Sequence, residues 1–419
     1  MKNTIVKIWM VCAVWWISGC GNTLDRPVNE TVKGGELVVD IDAGSLKAIL
    51  LEGETAGVDQ NTTVYGYRAY KIPYTTTDEE GNRVKVSGLM TVPTGVPELI
   101  RTVGYSAVSD DHGTIFANSE APTVTAKQTN APAGSSVILT SLFAFVTLQP
   151  DYIGFGDSKE HYHPFVLKKS LANATVDFIR AAKQFAAQNN IPLNGQLFLT
   201  GYSEGGYAAM AALEKIENDG DLEVTLAAPM AGPYILDGMA SQVLRSERLS
   251  VPSFMADIAY AYTIAYGEDI ASVINAPFAA KLKRLFDGSK RREEIDPELT
   301  RTTTGPNGLF KPSFVEGFFA GNWFTVAASQ NNLYKWAPQT PVRLLHCIGD
   351  DVIPFAISTN TAQSLLGFGA KDVGVIPVEV AITRDPATQV RFGHAQCASF
   401  AYGVAASIFA DIRKNTIGY

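Results

Sequence analysis

The segment that most restricts the fold of this 419-residue chain runs from Leu197 to Leu213. An apolar run, Leu197-Phe198-Leu199-Thr200, leads into Gly201-Tyr202-Ser203-Glu204-Gly205. The small-residue stretch Tyr207-Ala208-Ala209-Met210-Ala211-Ala212-Leu213 follows. The first part reads as a buried strand and the last as a helix packed close to a sheet. The join must be sharp, and glycines two before and two after Ser203 relieve its crowding. Similar alternation extends through the chain. Arg101–Ala107, the latter half of Ser141–Gln149, Gln196–Thr200, Val224–Pro229, Val342–Ile348 and Val378–Ile382 read as strands. Ser170–Gln188, Glu204–Ile216 and Ala401–Arg413 read as helices. Strands alternating with helices predict an α/β fold, a mostly parallel sheet flanked by helices on both faces. Ahead of it, Glu36–Ile41, Val64–Pro73 and Val84–Pro93 alternate as strands, with a turn at residues 78–82 between the last two.

One long stretch breaks the rhythm. Between Gly238 and Trp336 no core strand is evident, and Phe278, Leu282, Leu285 and Phe286 fall on one face of a helix. We expect a helical cap over residues 239–336, inserted between core segments 61–238 and 337–419. Residues 20–60 are expected to hold a tether and an N-terminal strand. Residues 1–19 read as an export signal: Lys2 and Lys7 precede the short apolar run Ile8–Ile17. The run ends in Ile17-Ser18-Gly19-Cys20, which resembles a bacterial lipobox, so Cys20 is the expected lipidation site and membrane anchor of an extracytoplasmic lipoprotein. No later stretch reads as a transmembrane helix. After cleavage, 32 basic residues would face 42 acidic ones, for a net charge of −10, which argues against nucleic acid as a partner. No feature encodes an oligomeric state.

A serine hydroxyl needs a base to become a nucleophile. A strand–turn–helix around Gly-x-Ser-x-Gly is the nucleophile elbow of α/β-hydrolases, whose triad partners follow in the order serine, acid, histidine. Ser203 is therefore the expected nucleophile. Of the five histidines, 112, 161, 163, 346 and 394, His394 stands after the last expected strand and before the closing helix, as the base should. His346 lies inside a strand and reads as core. The acid is expected just off the Val342–Ile348 strand, at Asp350, with Asp351 the alternative. The oxyanion hole needs two backbone donors. Glu204 N–H is one; Thr114 or Gly113, in the loop Asp110-Asp111-His112-Gly113-Thr114, supplies the other. Cys347 precedes Asp350 by three residues and Cys397 follows His394 by three, so a possible disulfide would lock the two loops together.

The chain resembles the secretory-lipase-like branch of bacterial and fungal α/β-hydrolases. The resemblance rests on Ser87-Gly88-Leu89-Met90-Thr91-Val92-Pro93, His112-Gly113-Thr114, Pro150-Asp151-Tyr152-Ile153-Gly154-Phe155-Gly156-Asp157-Ser158 and Gly201-Tyr202-Ser203-Glu204-Gly205-Gly206. Many hydrolases of this fold carry a His-Gly-x-x-Asp-x-x-Val-Pro-like segment, in which Asp350 aligns with the acid and Cys347 replaces the glycine. The resemblance implies a carboxylic ester hydrolase, an esterase or lipase, acting on a small-molecule or lipid ester. Alternatives are an exo-peptidase using the same triad and a non-catalytic binding lipoprotein. No cofactor is expected: no Gly-x-Gly-x-x-Gly follows a first strand, and His161 with His163 alone make no metal site. Tyr260, Tyr262, Tyr266, Phe318, Phe319, Trp323 and Phe324 are expected in the cap core or lining a pocket. Lys281–Glu294 reads as a solvated helix face.

Overall fold

The computed structural model describes residues 30–53, 58–129 and 134–419. The expected export signal and the expected lipidation site Cys20 lie outside the described residues. In chain order the strands are β1 (Glu30–Val32), β2 (Gly35–Ile41), β3 (Gly66–Thr77), β4 (Arg83–Thr94), β5 (Tyr105–Asp111), β6 (Val146–Pro150), β7 (Leu193–Tyr202), β8 (Leu226–Met230), β9 (Val342–His346) and β10 (Val373–Pro377). They form one sheet in the order β1-β2-β3-β4-β6-β5-β7-β8-β9-β10. Pairing is antiparallel from β1 through β4 to β6 and parallel from β6 to β10. From β5 the chain goes to β6 on one side and then returns to β7 on the other. Such a reversal opens a crevice at the carboxyl ends of the strands, where α/β folds place their sites.

Alternation along β7 distributes the core between the two faces. Leu197 and Leu199 join the cluster formed with helices Lys168–Gln188 and Glu204–Asp219. Phe198 points the other way, with Phe145 and Phe409, and its ring stacks on Phe409 at 4.6 Å between centroids. Phe409 belongs to helix His394–Thr416. That helix is apolar and long enough to cross a membrane by length and composition, contrary to the sequence reading, but here it is a core helix packed on the sheet.

Two expected strands are corrected. The stretch beginning at Arg101 is first a helix, Glu98–Val103; Gly104 then turns with φ 96°, and β5 starts at Tyr105. Asp110 and Asp111 consequently end the strand, fully buried, instead of lying in a loop. Val378–Ile382 is helical, within Val378–Thr383; the last strand is the preceding run, Val373–Pro377. Both runs are β-branched, and tertiary contact separates them. The first pairs with β9, while Glu379 in the second turns inward so that its carboxylate accepts the N–H groups of Ile348, Gly349 and Phe392.

Between β8 and β9 the described chain contributes helices but no strand to the sheet. Residues 278–286 are not one helix; two short helices, Ala276–Ala279 and Leu282–Leu285, bury Leu282 and Leu285. Lys281 and Arg284 pair with Glu298 at 3.0 and 3.3 Å. Cys347, just past β9, is bonded to Cys397 in the closing helix. Closing a loop of this length contributes about 4 kcal/mol in the chain-entropy description. We expect non-reducing peptide mapping to recover residues 347 and 397 in one cross-linked species. Cys347→Ala combined with Cys397→Ala should lower the unfolding free energy by a comparable amount; two free thiols in the native protein would contradict the pairing.

Candidate active site

Strand β7 stops at Tyr202, and Ser203 has φ 60° and ψ −120° before helix Glu204–Asp219 begins. A serine at positive φ is strained, and it persists only where its surroundings fix it. The Ser203 N–H donates to the Met230 carbonyl at 2.9 Å, and the Ser203 carbonyl accepts from Tyr207 N–H at 3.1 Å. A Cβ at Gly205 would collide with the Asp111 carbonyl, one at Gly201 with the Gly205 and Asp111 carbonyls, and one at Gly206 with Met230. Gly201 and Gly205 are glycine because the elbow and the end of β5 share one space, and Gly206 because the end of β8 lies equally close.

His394 opens the closing helix. Its Nε2 lies 2.9 Å from Ser203 Oγ and its Nδ1 2.7 Å from Asp350 Oδ2. The carboxylate can only accept from Nδ1, so Nδ1 carries the proton and Nε2 is free to accept from the serine hydroxyl. Asp350 Oδ1 accepts the N–H groups of Val352 and Ile353 at 2.9 and 2.8 Å. Burial works to raise the Asp350 pKa, yet hydrogen bonds from His346 and His394 hold it well below the usual carboxylate range. Asp351 has a different partner: its Oδ1 accepts the backbone N–H of His394 at 2.8 Å. Tyr202 O–H donates to the His394 carbonyl at 2.6 Å.

Glu204 is the first residue of its helix, where N–H groups lack intrahelical partners. Gly113 runs beside the elbow; a Cβ there would be 3.0 Å from the Tyr202 carbonyl and 3.8 Å from Ser203 Cβ. Thr114 follows it, half-buried. His112 keeps this loop in place: Nδ1 is 2.8 Å from the Gly113 carbonyl, and Tyr152 O–H donates to the His112 carbonyl at 3.2 Å. From the resembling segment 150–158, the Asp151 carboxylate, buried, accepts from Ser87 Oγ, Thr123 Oγ1 and Thr123 N–H.

The loop of His161 and His163 reads from the sequence only as structural or substrate-adjacent, and the buried cluster it forms beside the elbow was missed. His163 Nδ1 is 2.9 Å from the Ile153 carbonyl and Nε2 is 2.7 Å from Glu204 Oε1. A carbonyl cannot donate, so Nδ1 carries a proton, and the short Nε2–Oε1 contact needs a second one on either partner. Burial opposes charge on His163, and the Glu204 carboxylate outweighs it, placing the pKa above the ordinary value. Asp257, from the cap, lies nearby; burial pushes its pKa up to about 8. Asp257, His161 and His163 share a pocket with Ile115, Phe116 and Tyr260. Of the cap aromatics singled out from the sequence, Tyr260 and Phe286 line it. Tyr262, Phe318 and Phe324 are buried in the core, and the exposed Phe319 lies under the Arg245 guanidinium. A lone aspartate in a helical segment carries no sequence signal of such a role.

No protein-family model matches the chain, and no curated protein matches it by sequence. Solved structures do. A candidate hydrolase from Legionella pneumophila superposes with a TM-score of 0.78 at 23% identity, covering 91% of this chain and 97% of its own. The rice cell wall degrading esterase LipA from Xanthomonas oryzae, in a ligand-bound form, gives 0.73 at 22% identity, covering 93% and 98%. This chain has the α/β-hydrolase fold. Candida antarctica lipase A in its closed state shares less of it, with a TM-score of 0.56 at 16% identity, over 78% and 73% of the two chains.

Burial dictates a pH response. Asp151, raised to about 6, and Asp257, raised to about 8, bind protons more tightly folded than unfolded, where carboxylates titrate near about 4. Each therefore makes the folded state lose stability as pH rises from its unfolded to its folded pKa. His163, also raised, adds a loss in the same direction above about pH 6.5. Asp350, depressed, acts oppositely: its contribution is present above about pH 4 and lost below. Urea titrations should show unfolding free energy declining between pH 5 and 8, and Asp257→Asn should shrink the decline from pH 6 to 8. An unchanged slope in that variant would show that Asp257 is not held protonated.

Proposed function

We propose that the protein is a serine hydrolase of carboxylic esters, with Ser203 as nucleophile, His394 as general base and Asp350 as the acid. The observation that carries this reading is the continuous hydrogen-bonded chain from Ser203 Oγ through both His394 nitrogens to Asp350 Oδ2. That an esterase and a lipase share the fold supports the ester class.

In this reading His394 Nε2 takes the hydroxyl proton as Ser203 Oγ attacks the ester carbonyl carbon. Asp350 stays ionised, holds the tautomer and stabilises the imidazolium. The N–H of Glu204 and one from the Gly113–Thr114 loop receive the oxyanion, which forms only in the tetrahedral intermediate. His394 then returns the proton to the leaving alcohol. Water, deprotonated by the same imidazole, attacks the acyl-enzyme, and the acid product leaves with Ser203 restored. The lipid-bearing Cys20 would hold the enzyme at a membrane facing an extracytoplasmic space.

Ser203→Ala should reduce hydrolysis of p-nitrophenyl esters by at least about 10³-fold while leaving the circular dichroism spectrum unchanged. Ester turnover equal to the parent's would sink the assignment. Rates over acyl chains of increasing length then separate a short-chain esterase from a lipase.

A further inference from the structure

His346 has no exposed surface and lies on β9, four residues before Asp350. Its Nε2 is 2.9 Å from the Ile353 carbonyl and 3.2 Å from Asp350 Oδ2. Both partners are acceptors, so Nε2 must carry the proton and is shared between them. Nδ1, 2.7 Å from Ser358 Oγ, then accepts the serine hydroxyl proton. A neutral His346 satisfies all three contacts in one tautomer. Phe355 packs against its ring, with 5.6 Å between ring centroids. Oδ2 of Asp350 thus lies between two imidazoles, while backbone amides hold Oδ1.

We propose that His346 is a positioning residue of the active site, acting through Asp350: it fixes the oxygen that orients His394 and shares that oxygen's negative charge. This rests on the assignment of Ser203, His394 and Asp350 as the catalytic triad. Without the second donor, Oδ2 would be anchored only by the imidazole it is meant to orient. The carboxylate, pinned by the amides at Oδ1 alone, could then tilt at Oδ2, and His394 would lose part of its alignment with Ser203. The unshared charge would also bind the His394 imidazolium more tightly. His394 would then hold its proton to higher pH, and the acid limb of kcat/KM, which reports the free base, would move upward. The other groups facing this pair are Asp351, on the His394 N–H; Tyr202, beside the His394 ring; and Glu379, on the amides of Ile348 and Gly349. None of them contacts Asp350 Oδ2 by a hydrogen bond, so the shift isolates His346.

The test uses His346→Leu, which removes the donor, and His346→Gln, which retains an N–H, each alone and combined with Asp350→Asn. With p-nitrophenyl esters, His346→Leu should lower kcat about tenfold at unchanged KM, the lower end for a shared hydrogen bond to a charged group. Its acid limb should move to higher pH, and His346→Gln should recover most of the loss. In the Asp350→Asn background His346→Leu should cost little more, because the group it acts through is gone. An equal loss in both backgrounds would overturn the proposal, as would a folded His346→Leu enzyme with the parent's kcat and pH profile. A second readout does not depend on turnover. The low-field proton resonance of His394 Nδ1–H, assigned by its absence in His394→Gln, should shift or broaden in His346→Leu; an unmoved signal counts against the proposal. If the parent hydrolyses no ester while that resonance still responds, the ester reading fails and the role of His346 stands.

Discussion

The molecule is organised by the crowding of backbone where β5 and β7 end side by side. Gly201 and Gly205 approach the carbonyl of Asp111 so closely that no side chain fits at either position. That approach sets the angle at which the chain leaves the sheet, holds Ser203 at positive φ, and brings Gly113 alongside it. The helix that follows must then lie against the sheet, which is why Ala208, Ala209, Ala211 and Ala212 are all buried. A larger residue on that face would push the helix outward and open the elbow.

Around this core the fold buries several carboxylates, and their partners separate their roles. Asp110 accepts from Ser135, Gln149 and Tyr402, and Asp151 from Ser87 and Thr123; burial still raises both pKa values. These two tie neighbouring segments to the sheet through neutral donors. Asp350 differs in having two imidazoles and two amides directed at it, and it is the one whose pKa falls far below the ordinary range. Under the proposed mechanism, a carboxylate that stays ionised beside a transient imidazolium needs that kind of environment.

Much of this was legible in the sequence because it depends on local chemistry. The elbow declares itself through glycine spacing between an apolar run and a small-residue helix. Ser203, Asp350 and His394, separated widely along the chain, could be ordered by which strand each one follows. Local periodicity failed where two solutions were equally good. The β-branched runs on either side of Pro377 have the same texture, and only pairing with β9 and the inward turn of Glu379 distinguish them. Asp110 and Asp111 looked like a solvated loop because adjacent acidic residues usually are. Their burial depends on Tyr402, Gln149 and Thr175, which arrive from distant segments. His346 was recognisable as a core residue, but its reach to Asp350 follows from the turn between them.

The Cys347–Cys397 bond ties the end of β9 to the helix that His394 opens. In the unfolded oxidised chain that link would persist, keeping Asp350 and His394 within a short tether of one another. Linkers of this kind sustain effective concentrations of about millimolar, so Asp350 and His394 would already be near neighbours before any sheet forms. Ser203 has no such tether to either. In an oxidised chain the proposed acid and base therefore start close together and must meet the elbow, where a reduced chain must bring three separate pieces together.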